Sequence, residues 1–184
     1  MAPKPIPSET VGAVAASALN LDTYLEKSVD DICGKYGGIG DSINHCAHFV
    51  SHVLKLRIPG AALCSNVGDD DDVVNPHKWK YAERHDRFCV RVNQVFNSCG
   101  NRMHYDFQVA NGISLIVATL KDNILTESPL TIGTASKKHI GFLVCNHVYH
   151  YSNKSANDKV IKQPVTEFKN HYGAHTILLR CDLP

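Results

Sequence analysis

Polar and apolar positions follow two regimes along this chain. Up to about residue 100 the apolar side chains recur at helical spacing; beyond it they gather in short β-type runs. In residues 21–33, Leu21, Leu25, Val29 and Ile32 recur three or four apart with acids near the start, which predicts an amphipathic helix. Residues 34–40 then break the pattern with four glycines in seven. That turn has no phosphate-loop lysine-serine pair, so it does not read as a nucleotide site. In residues 44–54, Cys46, Phe49, Val50, Val53 and Leu54 share one helical face, and His45, His48 and His52 share another. Gly40 and Asp41 read as the loop in front, Asn44 or Ser42 can cap the start, and Pro59-Gly60 ends the element. Residues 85–99 predict a further helix with Phe88, Val92, Val95 and Phe96 on one face, closed by Gly100. Strand-like runs follow at 103–109, 113–119, 140–144, 148–151, 160–161 and 176–179, separated by Asn, Gly, Ser and Pro. Helices first and strands later predict an α+β fold, with N-terminal helices packed on an antiparallel sheet.

At 184 residues the chain reads as one domain with room for a sizeable core. Residues 1–20, rich in Pro, Ala and Ser, read as a flexible arm, and residues 21–184 as a single domain. The arm lacks the basic-then-apolar architecture of a signal peptide, and no apolar run approaches a membrane span. With 19 basic and 18 acidic residues, net charge calls for no nucleic-acid partner. Asp69 to Asp72 lack the alternating ligands, glycine and closing glutamate of a calcium loop, and read as a solvated loop able to border a groove.

Cys46 falls in the first turn of its helix, where unpaired backbone N–H groups and the helix dipole favour a thiolate. The competing reading is a buried core thiol. Downstream, residues 138–144 carry His139 into a strand that turns at Cys145-Asn146-His147 and returns through His150 to Asn153. A thiol nucleophile needs a base within hydrogen-bond reach, and the base needs an orienting partner. If the hairpin turns around Asn146, the residue facing His139 falls near Ser152 or Asn153, with His150 diagonal. His45, His48 and His52 also raise the question of a metal. The motif lacks the glutamate of a zincin and no completing ligand is visible, so these histidines read as a solvated or groove-lining face and no metal or cofactor is expected. The six other cysteines form no Cys-x-x-Cys pair; in an oxidising compartment some can pair and leave Cys46 free.

Cysteine helix first and histidine strand later is the papain-like order, and the local motifs carry a more specific resemblance. The stretch Asn44-His45-Cys46-Ala47-His48-Phe49-Val50 resembles the Asp-Cys-Ser-Gly-Phe-Val element of NlpC/P60 and related cell-wall amidases. His139-Ile140-Gly141-Phe142 resembles their His-Val-Gly-Ile-Tyr strand, and Val148-Tyr149-His150 the next strand with its third polar residue. Residues 111–117 resemble the Gly-Asp-Leu-Val strand, with Ser114 where the family has an acid. The resemblance runs in order over residues 20–184. It implies a papain-like, NlpC/P60-type fold with Cys46 as nucleophile, His139 as general base and acid, and His150 as orienting residue, while hairpin counting keeps Asn153 as the alternative. It also implies a hydrolase cutting amides in the peptide part of peptidoglycan, next to a D-amino acid, through an oxyanion hole that includes the Cys46 N–H. The absence of an export signal suggests an amidase toxin, made in the cytoplasm and carried to the periplasm or cell wall by a secretion system or phage lysis, with an immunity protein as partner. Two other readings stand beside it. The Cys46 stretch also resembles the Asn-Cys-Glu-His-Phe-Val element of the lecithin:retinol acyltransferase group, whose histidine precedes its cysteine. The other is a non-catalytic binding module on the same scaffold.

Overall fold

The computed structural model describes residues 19–33, 45–56, 58, 91–107, 112–154 and 157–184. The N-terminal arm up to residue 18, the glycine-rich turn, the capping positions Ser42 and Asn44, the Asp69 to Asp72 run and the first part of the 85–99 helix lie outside them. The helices are α1 (Val29–Ile32), α2 (Cys46–Leu54), α3 (Val92–Ser98) and α4 (Val165–Lys169). The strands are β1 (Met103–His104), β2 (Ile113–Leu120), β3 (Ile124–Glu127), β4 (Leu130–Ile132), β5 (Lys138–Val144), β6 (His147–Lys154), β7 (Asn157–Pro164) and β8 (Thr176–Cys181).

The protein is α+β: N-terminal helices with a six-stranded antiparallel sheet, in the order β1-β8-β2-β5-β6-β7, plus the small hairpin β3-β4. Both faces of the central strands are covered, so β2 and β5 read as nearly continuous apolar runs rather than alternating ones. On one face Leu115, Val117, Ile140, Phe142, Tyr149, Tyr151 and Leu179 pack with Phe49 and Val50 of α2 and with Val95 and Phe96 of α3. On the other, Ile116, Ala118, Leu143, Val148 and Leu178 pack with Val165 and Phe168 of α4. Cys145 and Asn146 form the two-residue turn between β5 and β6, with Val144 opposite His147 and Cys145 at φ 54°. Among the described residues no helix is long and apolar enough to cross a membrane.

The expected helix over residues 21–33 is not formed as one element. Leu21–Tyr24 is a 3₁₀ turn, Glu26 sits at φ 67°, and α1 starts afresh from a Ser28–Asp31 capping box. The cause is tertiary. The Glu26 N–H donates to the Val160 carbonyl and the Val160 N–H to the Lys27 carbonyl, both at 2.9 Å, so β7 takes the backbone groups that a continuous helix needs. Tyr149 Oη donates to Asp22 at 2.7 Å and the Val29 N–H donates to Tyr151 Oη at 3.0 Å, stitching the same segment to β6.

The hairpin β3-β4 and the helix α4, inserted between β7 and β8, were not anticipated by the apolar pattern. The hairpin is held by Asn97 of α3, whose Nδ2 donates to the Ile132 carbonyl at 2.9 Å while its Oδ1 accepts from the Ile132 N–H at 3.0 Å. One side chain thus supplies both halves of a strand rung. Asn97→Ala leaves two backbone groups unpaired and is expected to cost about 1–3 kcal/mol, read as a lowered urea midpoint.

Candidate functional site

Cys46 is the first residue of α2, as its spacing predicts, and is fully buried. The N-cap is His45, which makes no side-chain cap hydrogen bond; its ring stands edge-on to Tyr151 with centroids 5.5 Å apart. Phe49, one turn on, packs edge-on against Phe142 at 5.7 Å. These contacts lay α2 along β5 and β6, with Cys46 toward the end of the sheet where β5 begins.

His139 and His150 meet at that end. The β5–β6 ladder runs from Val144 opposite His147 to Phe142 opposite Tyr149 and goes no further. Gly141 sits where it stops: a Cβ there would lie 2.6 Å from the Tyr149 carbonyl oxygen and 2.9 Å from His150 Cβ. This close approach lets His139 Nε2 and His150 Nδ1 hydrogen-bond at 2.7 Å. Ser152, which register counting places across from His139, is therefore not its partner. Asn153 is in β6, paired through its backbone register with Asp158 of β7.

The histidine pair is enclosed by a sequence segment without motif signal. His171 stacks on His139 with centroids 4.2 Å apart, and Phe168 lies 5.6 Å from His139 and 5.1 Å from His150. A pocket of about 300 Å³ opens beside the pair, with His150, Ser152, Glu167 and His171 among its lining residues.

Cys46 and His139 do not share a sheet face. Cys46 belongs to the core containing Ile140 and Phe142, whereas alternation along β5 turns His139 to the face occupied by Phe168. His139 Nδ1 has no hydrogen-bond partner among the described residues, so no such bond joins it to Cys46. Tyr172 neighbours both Cys46 and the His171 ring that stacks on His139. It follows His171 directly, its ring 4.8 Å from that imidazole, and its hydroxyl is pushed up first by burial and then by the nearby Cys46.

Burial pushes His139 well below the ordinary histidine value of 6.5, and repulsion from His150 and His171 adds to it. Above pH 6.5 the ring is neutral folded or unfolded; below it the unfolded chain takes a proton that folded His139 refuses. Stability is therefore complete above that value and falls with pH, by up to about 1.4 kcal/mol per pH unit from this group. Urea midpoints taken from pH 7 down to pH 5 should show the slope, and His139→Gln should flatten it.

A second cluster lies around α2. The sequence offers His48 and His52 no completing ligand, but the fold supplies one in Cys33: its Sγ and a ring nitrogen from each histidine lie within 4.8 Å of one another. The His-x-x-x-His spacing was the available signal; Cys33 was hidden because the glycine-rich turn separates it from α2.

Comparison with known protein families, curated proteins and solved structures finds no match for this chain.

Proposed function

We propose that the protein is a thiol hydrolase of the papain-like, NlpC/P60 type that cleaves amide bonds in the peptide part of bacterial peptidoglycan. The observation that carries this reading is the 2.7 Å bond between His139 and His150, a base with its orienting partner. With its proton on Nε2 and donated to His150, His139 presents Nδ1 as the lone pair for the thiol proton. Cys46, first in α2, has the helix N-terminus to favour its thiolate. The thiolate attacks the amide carbonyl, a C–S bond forms, and the C–N bond breaks as His139 returns the proton to the leaving amine. Water then opens the thioester, passing a proton to His139 and releasing the acid. The reading requires Sγ and Nδ1 to come within reach, a movement across the sheet end beside Tyr172. Delivery to the wall by a secretion system or phage lysis, and an immunity partner, belong to the same proposal.

A second reading rests on the separation of Cys46 and His139: a binding module in which Cys46 is a core thiol. The two part company in one experiment. Purified peptidoglycan is incubated with the protein and the fragments are read by mass spectrometry, with iodoacetamide labelling of Cys46 alongside. New amine-terminated peptides support the hydrolase. Intact peptidoglycan with an unreactive Cys46 sinks it. Intact peptidoglycan with fast labelling removes this substrate and makes lipid acyl transfer the next assay.

A further inference from the structure

We propose that Cys33, His48 and His52 form a zinc site that clamps α1 onto α2. The inference is independent of the catalytic reading and uses none of its residues.

The three ligands come from two elements with different constraints. His48 and His52 are one helical turn apart in α2, so their rings lie on one face, with centroids 4.7 Å apart. Phe49 of the same helix meets Phe142 of the sheet, and the two imidazole rings lie to the side of that contact. Cys33 is the C-cap of α1, its position set by the N–H bond to the Val29 carbonyl at 2.8 Å. Cys33 thus closes a short capped helix with its thiol close to the two imidazoles of α2.

The donor set fits a particular ion. One thiolate and two imidazoles suit zinc, which takes sulfur at about 2.3 Å and nitrogen at about 2.0 Å in tetrahedral geometry. Such a tetrahedron puts the donors roughly 3.3–3.6 Å from one another. The three donors already lie within 4.8 Å of one another, so a bound zinc would draw them together by about an ångström. Magnesium and calcium are disfavoured because they prefer oxygen donors. Cys33 and His48 are almost fully buried and His52 half-buried, which leaves the fourth position to water entering on the His52 side. A metal here joins residues 19–33 to the helix that carries Cys46, so binding should couple to stability.

The test uses the full chain carrying Cys46→Ala, to silence the other α2 thiol. Stripped of metal, it is titrated with cobalt(II) and then zinc. The expected result is tetrahedral d–d absorption with a thiolate-to-cobalt band, saturating near one equivalent, displaced by zinc, and accompanied by a rise in Tm. Adding Cys33→Ser should abolish the thiolate band, and His52→Ala should weaken binding tenfold or more. If Cys33→Ser fails to fold, the half-buried His52 supplies the test through His52→Ala alone. No uptake at equimolar metal overturns the proposal, as does binding undiminished in both variants. Because the background already lacks Cys46, metal uptake and peptidoglycan cleavage succeed or fail separately.

Discussion

Cys46→Ala should abolish cleavage of peptidoglycan peptides, on the order of 10⁴-fold or more, because the remaining groups act on a nucleophile that is no longer there. His139→Ala should cost nearly as much, and the double variant little more than either, since residues acting as one unit do not contribute additively. His150→Ala is predicted to fall short of both, because the proposed mechanism gives it only the task of orienting the His139 ring through the 2.7 Å bond. The ordering carries the information. A His150 variant as inactive as Cys46→Ala would mean that His150 itself handles the proton. A fully active Cys46→Ala would remove the thiol mechanism. Folding controls matter here, because Cys46 and His139 are both fully buried.

The second large effect is expected at Gly141. Glycine in a strand interior usually weakens it, so alanine would ordinarily stabilise. Here the sign reverses. A Cβ at residue 141 would meet the Tyr149 carbonyl at 2.6 Å, and that oxygen belongs to a backbone with little freedom to retreat. Tyr149 is registered with Lys162 of β7, and its hydroxyl is bound to Asp22. Gly141→Ala should therefore cost about 2–3 kcal/mol, as overpacking of a close contact does, a large share of ordinary domain stability. Pushing β6 away should also break the His139–His150 bond and lower activity more than the stability loss accounts for. Urea midpoints with an unchanged m-value, measured alongside turnover, check both parts; an unchanged midpoint would refute the packing argument.

What could be read from the sequence were features with a local cause. Helix α2 announces itself through the spacing of Cys46, Phe49, Val50 and Val53, and β5 through a short apolar run entered by His139. Period-two alternation also says that His139 and Ile140 point opposite ways, but not which of the two faces α2 will cover. Chain order alone therefore made partners of Cys46 and His139, and only the packing of Phe49 on Phe142 reveals their different faces. The same limit explains the break at Glu26 and Lys27, whose backbone partner Val160 is more than a hundred residues away. It also explains Cys33, which became a neighbour of His48 and His52 through the docking of α1 on α2.

The bonding of Glu26 and Lys27 to Val160 has a consequence for how two copies of the chain behave toward each other. β7 is one of the two edge strands of the sheet, and edge strands invite pairing between molecules. Here the rung at Val160 is already taken from within, Lys159 is tied to Glu26, Lys162 adds a charge, and Pro164 offers no N–H where the strand ends. The irregular segment that spoils a tidy helix is thus the molecule's insulation: cut it away and the sheet gains an open seam for self-association.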